Sequence, residues 1–314
     1  SNSLLQNTVS RVERLTKKHH ILVITEESHV EHVYKQLDNI DRKNILVEPG
    51  RRGTASCVLM GLSHIKKSGL PQDEPIIFLW ADHLIRDNEG FTASALRAGE
   101  LSKGENKLVF IGVKPTYPAT GFNYIKQDGP VDGWFQTFHL EKFTEKPDKK
   151  TAEKYVTSGR YLWNSGYLVG SLSVFENEMK RSSPDLYQDY LKVCDDKDFI
   201  NTYLGLKSLT IDEALSEKVK DGLVMPVTFD WMDVGSFSDL HAVSTTDDSG
   251  NHVWGNNVEL DSTTNSYVRN EDTEPVAVIG LDNIVVVNTS NGVLVVNKNY
   301  AQNVGEVAKK VQLK

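Results

Sequence analysis

The chain has 314 residues, enough for one large domain or two ordinary ones. Hydrophobic residues make up 39% and charged ones 25%, a globular balance, and a formal net charge of -8 argues against a broad nucleic-acid or anionic-membrane surface. The two cysteines, Cys57 and Cys194, form no CxxC or His-Cys pattern, which leaves a zinc site and a disulfide framework without support.

Helix and strand signals alternate from the start. Leu4, Leu5, Val9, Val12 and Leu15 form a helical stripe over 4–18. HILVIT (20–25) reads as a buried strand, SHVEHVYKQL (28–37) as a helix capped by Ser28, and NILVEP (44–49) as a strand stopped by proline. TASCVLMGLSHIKKSG (54–69) is a helix ending at Gly69, PIIFLWADH (75–83) a strand, FTASALRAGELSKG (91–104) a helix and KLVFIGVKP (107–115) a strand. KTAEKYVTSG (150–159) reads as an exposed helix closed by Gly159, and YLVGS as an apolar strand. Such repeats imply a mostly parallel sheet with helices on both faces. A chain of this type should open on a strand lying between the second and fourth in the sheet. This one opens on a helix, so the reading expects a central strand to be missing from the sequence.

After about residue 245 the texture becomes short β-rich runs between Asn, Asp and Gly turns, with a hairpin around Asn291-Gly292 and a closing helix in NVGEVAKKVQ (303–312). The expected division is therefore a first domain over 1–245 and a small β-rich domain over 246–314. No apolar run reaches about 18 residues and no secretory signal pattern is read, so a cytoplasmic protein without membrane partner is expected.

Six stretches carry chemistry. Asp82 follows an apolar strand, where ligands bind in such sheets, and TFDWMDVGSFSDL (228–240) offers Asp230 and Asp233. Asp82 with Asp233 would make a partial Mg²⁺ site, completed by substrate phosphates and water. Asp82 as a simple cap, and Asp230 and Asp233 as caps of the helix at FSDLHAV, are the structural alternatives. Glu145-Lys146-Pro147 ends a strand, and Pro147 holds its neighbour extended, which suits Lys146 to meeting a phosphate. In WNSG (163–166), Asn164 at a strand mouth could fix a sugar hydroxyl, or the stretch is a turn. VEPGRRGTASCV (47–58) suits an anion or base edge at a helix start, and TYPATGFNYI (116–125) has Gly121 where a ligand could approach closely, although loops and turns explain both. His29 and His32 share one helix face, and His83 adjoins Asp82. No Ser-His-Asp or Cys-His arrangement favours covalent catalysis.

In this order, EPGRRGTA, ADHLIRDNEGF, GVKPTYPATGFNYI, FTEKP, SGRYLWNSGYLV, TIDEALSEK and FDWMDVGSF resemble the motifs of the sugar-nucleotide pyrophosphorylases, most closely the mannose-1-phosphate guanylyltransferases. The tail resembles that family's short β-helix-like domain. The resemblance implies an α/β fold with a Rossmann-like, doubly wound mixed sheet. It implies GTP and mannose 1-phosphate as partners. Exposed strand edges of the small β-rich domain need covering, so a homodimer is expected. Asp82 and Asp233 would hold Mg²⁺, and Lys146 would meet the sugar phosphate. Glu145 and Asn164 would bind mannose hydroxyls, Gly121 would lie against the sugar, and Asp212 would border its pocket. Glu48, Thr54 and Ala55 would shape the guanine site.

The chain departs from the family's usual text in four places. The opening strand with its Gly-rich phosphate loop is missing from the sequence. Gly53-Thr54-Ala55-Ser56 stands for Asn-Thr-Ala-Pro, Trp80 for a proline, and Phe122-Asn123 for Tyr-Gly. Two other readings stay open: another NTP:sugar-1-phosphate nucleotidyltransferase, or a non-catalytic GDP-mannose-binding paralogue. A nicotinamide oxidoreductase ranks last, since no GxGxxG follows a strand.

Overall fold

The computed structural model describes residues 2–312. Contacts divide the chain into two units, Ser1–Ala81 with Ile85–Trp231, and Asp82–Leu84 with Met232–Lys314. In chain order the first unit contains α1 (Leu4–Val12), β1 (Val23–Glu26), α2 (Val30–Gln36), β2 (Ile45–Glu48), α3 (Gly53–Ser68) and β3 (Pro75–Phe78). The second unit's two-residue β4 (His83–Leu84) follows. The first unit resumes with α4 (Asn88–Glu105), β5 (Val109–Val113), β6 (Tyr124–Pro130), β7 (Phe138–Thr144), α5 (Lys149–Ser158) and β8 (Tyr161–Ser171). It closes with α6 (Leu172–Ser182), α7 (Pro184–Cys194), α8 (Phe199–Leu204), α9 (Ile211–Ala214) and β9 (Leu223–Val227).

Six strands form the main sheet in the order β3-β8-β5-β9-β7-β6, with β6 also reaching β8. The strand–helix alternation alone expects a mostly parallel sheet, whereas the resemblance implies a mixed one, and the sheet is mixed. In this sheet only β5 and β9 pair parallel, and β8 pairs antiparallel with β3, β5 and β6. The reason is chain order: β8 returns from the β6–β7 hairpin and inserts between β3 and β5, so it runs against both. Side chains of the central strands alternate between two cores. Phe110, Leu168 and Val224 face α3 and α6 beside Leu59, Leu62 and Phe175. Ile111, Val169 and Met225 face α4 beside Phe91 and Leu101. Both faces are covered, which is why these strands read as unbroken apolar runs. Leu62 has no exposure at all, and truncating such a side chain to alanine costs about 2–5 kcal/mol.

β1 and β2 pair parallel as a separate two-stranded sheet. Among the described residues β1 pairs only with β2, and β3 only with β8. A Cβ on Gly61 of α3 would lie 3.3 Å from both Ile24 of β1 and Phe78 of β3, so one helix packs over both sheets.

Several boundaries differ from the sequence reading. The α-helix of α1 stops at Val12 and the chain continues in tighter turns, Leu15 N–H donating to Val12 O at 2.8 Å. Ser28 is not a cap: it lies in a 3₁₀ turn (Glu27–His29), its hydroxyl donates to Glu26, and α2 begins after His29. α4 begins at Asn88, because the Asp87 carboxylate accepts from Gly90 N–H and caps it. The apolar run 75–83 is not one strand. β3 ends at Phe78, where β8 bulges away and Trp80 spends its indole N–H on the Gly166 carbonyl instead of a ladder bond. Gly69 and Gly159 do end α3 and α5, both in left-handed conformation.

The second unit adds β10 (Met232–Asp233), α10 (Phe237–Val243), β11 (His252–Trp254), β12 (Val258–Asp261), β13 (Tyr267–Asn270), β14 (Val276–Ile279), β15 (Ile284–Thr289), β16 (Gly292–Asn297) and α11 (Val304–Gln312). β11, β13 and β15 stack in parallel, as do β12 and β14, which is the coil of a β-helix. Asparagines hold the coils together. Asn288 donates to Asn270 at 3.0 Å, and Asn265 and Asn283, both at positive φ, meet at 3.3 Å. Asn tolerates that backbone where the chain turns a corner. β15 and β16 form the expected hairpin, closing at Thr289↔Gly292. α10 is capped by Ser236, whose hydroxyl accepts from Asp239 N–H, so neither Asp230 nor Asp233 is its cap.

Candidate functional site

In the first unit the strand register gathers one set of predicted residues. Thr144 at the end of β7 pairs with Tyr124 at the start of β6, and Tyr124 pairs with Trp163 of β8. Glu145-Lys146, Gly121–Asn123 and Asn164 therefore emerge at the same end of three neighbouring strands. Asn164 N–H donates to Asn123 O at 2.8 Å, which locks two of these segments together.

WNSG is neither a turn nor a plain strand mouth. It is a bulge inside β8, where Ile111 pairs with Tyr167 but the next residue, Gly112, pairs with Asn164. Bulges re-aim side chains. This one turns Asn164 so that its Nδ2 donates to Asp212 Oδ2 at 2.9 Å while its Oδ1 accepts from Gly166 N–H at 2.9 Å. Ser165 anchors the bulge by donating to Ile111 O at 2.6 Å. Gly166 has φ +73, and a Cβ there would lie 2.3 Å from the Trp80 indole nitrogen. The tryptophan at position 80 is thus matched to the glycine.

Asp212 is a partly buried acid of this group. Burial pushes its carboxyl above the usual aspartate range, and the nearby charge of Glu213 adds to this, against the easing effect of Ser216 and Asn164. Its Oδ1 and the Ser216 hydroxyl are both buried. Glu217, which the sequence reading left out, joins the cluster: burial first, then the charges of Asp212, Glu145 and Glu213, push its carboxyl up. Its signal lay in TIDEALSEK, where Glu217 follows Asp212 by five positions. Glu145 and Lys146 are exposed. Gly121 is exposed too, and a Cβ there would meet nothing within 4 Å, so no protein atom requires the glycine. Phe122 packs its ring on Trp163 and on Trp231, each at 5.3 Å between centroids, forming an aromatic wall.

The turn 49–53 is held by segment 203–211 at every step. Glu48 is buried and accepts from the Tyr203 hydroxyl at 2.6 Å. Arg52 Nε donates to Leu204 O at 2.6 Å, and Arg51 pairs with Glu26, drawing that carboxyl down to about 2. Gly53, at φ +77, lies against Leu209, where a Cβ would be 2.2 Å from the carbonyl oxygen. Thr54 Oγ1 accepts from Ile211 N–H at 2.8 Å, and Ala55 N–H donates to Leu209 O at 3.2 Å. Glu48, Thr54 and Ala55 therefore have structural partners within the protein, and so have both arginines. Cys57, beside Glu48, has its thiol pushed up to about 12, chiefly by burial, so it is an inert packing group.

Within the second unit, β4 and β10 form a two-residue antiparallel ladder with Asp233 opposite His83. Asp82 sits in the turn before β4, with its carbonyl accepting from Val234 N–H at 3.4 Å. Candidate ligand atoms of Asp82, His83 and Asp233 all lie within 4.8 Å of one another. Two carboxylates and an imidazole fit a divalent cation in donor chemistry. Asp230 is separate: its Oδ1 accepts from the N–H groups of Arg86 and Asp87, a structural task. An open hollow lined by Trp254, Asn256, Arg269 and Asp272 involves none of the predicted site residues.

A Nucleotidyl transferase family model matches residues 1–250, and a MannoseP isomerase/GMP-like β-helix domain model matches 255–311. The chain is 34% identical to the mannose-1-phosphate guanylyltransferase of Klebsiella pneumoniae over 96% of its own length and 65% of that protein's. It is 35% identical to a putative mannose-1-phosphate guanylyltransferase of Vibrio cholerae, over 98% and 66%. It thus spans about 65% of the length of such curated relatives. Among solved structures, a protein named mannose-1-phosphate geranyltransferase from Thermus thermophilus superposes with a TM-score of 0.85 at 29% identity, covering 98% of this chain and 89% of that one. These matches cover nearly the whole chain: it belongs to the nucleotidyl transferase family and, after its nucleotidyl transferase region in sequence, carries a MannoseP isomerase/GMP-like β-helix domain.

Proposed function

We propose that this protein transfers the guanylyl group of GTP to mannose 1-phosphate, giving GDP-mannose and pyrophosphate. A phosphate oxygen of mannose 1-phosphate attacks the α-phosphorus of GTP in line. The bond to the bridging oxygen breaks, and pyrophosphate leaves with that electron pair. No enzyme nucleophile is required, so the protein's work is positioning and charge neutralisation.

The observation that carries this reading is the convergence of Asn164, Asp212, Glu145 and Lys146 at one end of the β7-β6-β8 ladder. A carboxylate set around a fixed amide suits sugar hydroxyls, and the exposed lysine beside it suits the sugar phosphate. We assign Glu145 and Asn164 to mannose hydroxyls, Lys146 to the phosphate, Gly121 to the sugar face, and Asp212 to fixing the Asn164 amide. The turn after Glu48, held in place through Thr54 and Ala55, is assigned to guanine. Asp82 and Asp233 are assigned to a divalent cation, Mg²⁺ in the simplest case, which would supply a positive field for phosphate oxygens. The catalytic domain is taken to end near residue 245.

The test is product formation by the protein with GTP, mannose 1-phosphate and Mg²⁺, read as GDP-mannose and pyrophosphate. Another NTP or sugar 1-phosphate turning over faster would move the reading to a sister specificity. GDP-mannose binding without turnover would favour the non-catalytic paralogue. We further assign the protein to homodimers.

A further inference from the structure

We propose that His83 is a third ligand of the cation held by Asp82 and Asp233, and that its ring nitrogen biases this site toward ions such as Co²⁺ over Mg²⁺. The inference rests on the assignment of Asp82 and Asp233 as cation ligands and extends it to a residue and an ion class.

Register supplies the first argument. His83 stands directly opposite Asp233 in the β4–β10 ladder. Directly opposed residues of an antiparallel pair send their side chains to the same face, about 4.5–5.5 Å apart at Cβ. The other pair of this ladder, Met232 with Leu84, offers no ligand. Asp82 precedes the strand and sits in a turn, so it escapes the strand's alternation and reaches the same place.

Distance supplies the second. Asp82 Oδ1 lies 3.9 Å from His83 Nε2. That is too long for a hydrogen bond. It is close to the spacing of two ligands on one ion, roughly 3–4 Å when each bond is about 2.1 Å. The full set, within 4.8 Å, closes on an ion with small side-chain movements.

Burial supplies the third. The His83 side chain is 7% exposed and the Asp82 side chain 66% exposed. The imidazole is fixed by its surroundings, whereas the carboxylate has room to close onto an ion. Gly235 keeps one side of the site thin, a Cβ there reaching only to 3.7 Å from Asp233 Oδ1. Mg²⁺ prefers oxygen ligands and retains its waters, whereas imidazole binds later first-row ions strongly. A buried nitrogen beside two carboxylates is therefore a selectivity element.

The experiment measures ions on the full chain without nucleotide or sugar. Pulsed electron paramagnetic resonance of bound Mn²⁺ in the unsubstituted protein should show coupling to a directly bound imidazole ¹⁴N. Calorimetric titration should show Co²⁺ binding more tightly than Mg²⁺. His83→Gln should weaken Co²⁺ roughly tenfold or more and Mg²⁺ by much less. Absence of ¹⁴N coupling, or an equal loss of both ions in the variant, would overturn the proposal. Asp82→Asn and Asp233→Asn separate the two levels. If they abolish Mn²⁺ binding while ¹⁴N coupling is absent, only the role of His83 fails. If they leave binding unchanged, the cation assignment fails with it.

Discussion

A methyl group added to Gly121 or to Gly166 meets two different environments, although both glycines belong to the sugar-side motifs. At Gly121 it meets no protein atom within 4 Å and no positive φ. Gly121→Ala is expected to leave stability within about 0.5 kcal/mol, as exposed surface changes do, while raising KM for mannose 1-phosphate. Unchanged kinetics would remove Gly121 from the sugar face. At Gly166 the methyl runs into the Trp80 indole on a left-handed backbone. Gly166→Ala should destabilise by about 2–4 kcal/mol from backbone strain and overpacking together, read as a lower denaturation midpoint in urea. Asp212 gives a pH test. Its carboxyl is raised in the fold, so the fold favours the protonated form, and this group costs stability as pH rises past the ordinary aspartate range. Asp212→Asn keeps an acceptor for Asn164. It should gain on the unsubstituted protein as pH rises above the ordinary aspartate range, and parallel stability curves would contradict this.

At the scale of elements, the β8 bulge and the segment 203–212 do the positioning. The segment touches the turn after β2 through Tyr203, Leu204, Leu209 and Ile211, then reaches Asn164 through Asp212. A single stretch therefore holds both the turn assigned to guanine and the amide assigned to mannose. In the second unit α10 is fastened by His241, which is 6% exposed. Its Nε2 donates to Gly250 O at 3.0 Å, and its Nδ1 accepts from Lys298 at 2.8 Å, which assigns the neutral tautomer. Burial, then the Lys298 charge, lowers its pKa below the ordinary histidine value of 6.5. The fold therefore favours neutral His241: stability is complete above that value and is lost as pH falls below it. Melting of the full chain between about pH 7.5 and about pH 5 should show the decline, and His241→Gln should flatten it. An equal slope in the variant would assign the pH dependence to other groups.

At the scale of the whole molecule, the exposed outer strand β16 invites association. Val293 and Val295 are 69% and 63% exposed on it, and it pairs only with β15 among the described residues. Apolar edge strands are covered in most proteins. Light scattering is expected to give twice the 35.2 kDa chain mass. A value of one chain mass would refute the homodimer, and Val295→Lys should shift the balance toward monomer.

Much of this was legible in the sequence for physical reasons. Apolar runs such as Leu108–Val113 marked strands buried on both faces, Gly69 and Gly159 marked helix ends, and the turn residues around Asn291 marked a hairpin. These signals are local: period, caps and backbone freedom act within a few residues. The motif order also placed Glu145, Asn164 and Asp212 in one family pattern. Pairing partners lie far apart in the chain, and only the tertiary structure decided them. It made the sheet mixed by inserting β8, as the resemblance implied and the strand–helix alternation alone did not, and it made WNSG a bulge matched to Trp80. It gave Glu48, Thr54 and Ala55 partners more than 150 residues away, and it set His83 opposite Asp233. A ladder or a ligand set is closed by residues with no local sequence relation, so its existence is a property of the packed chain.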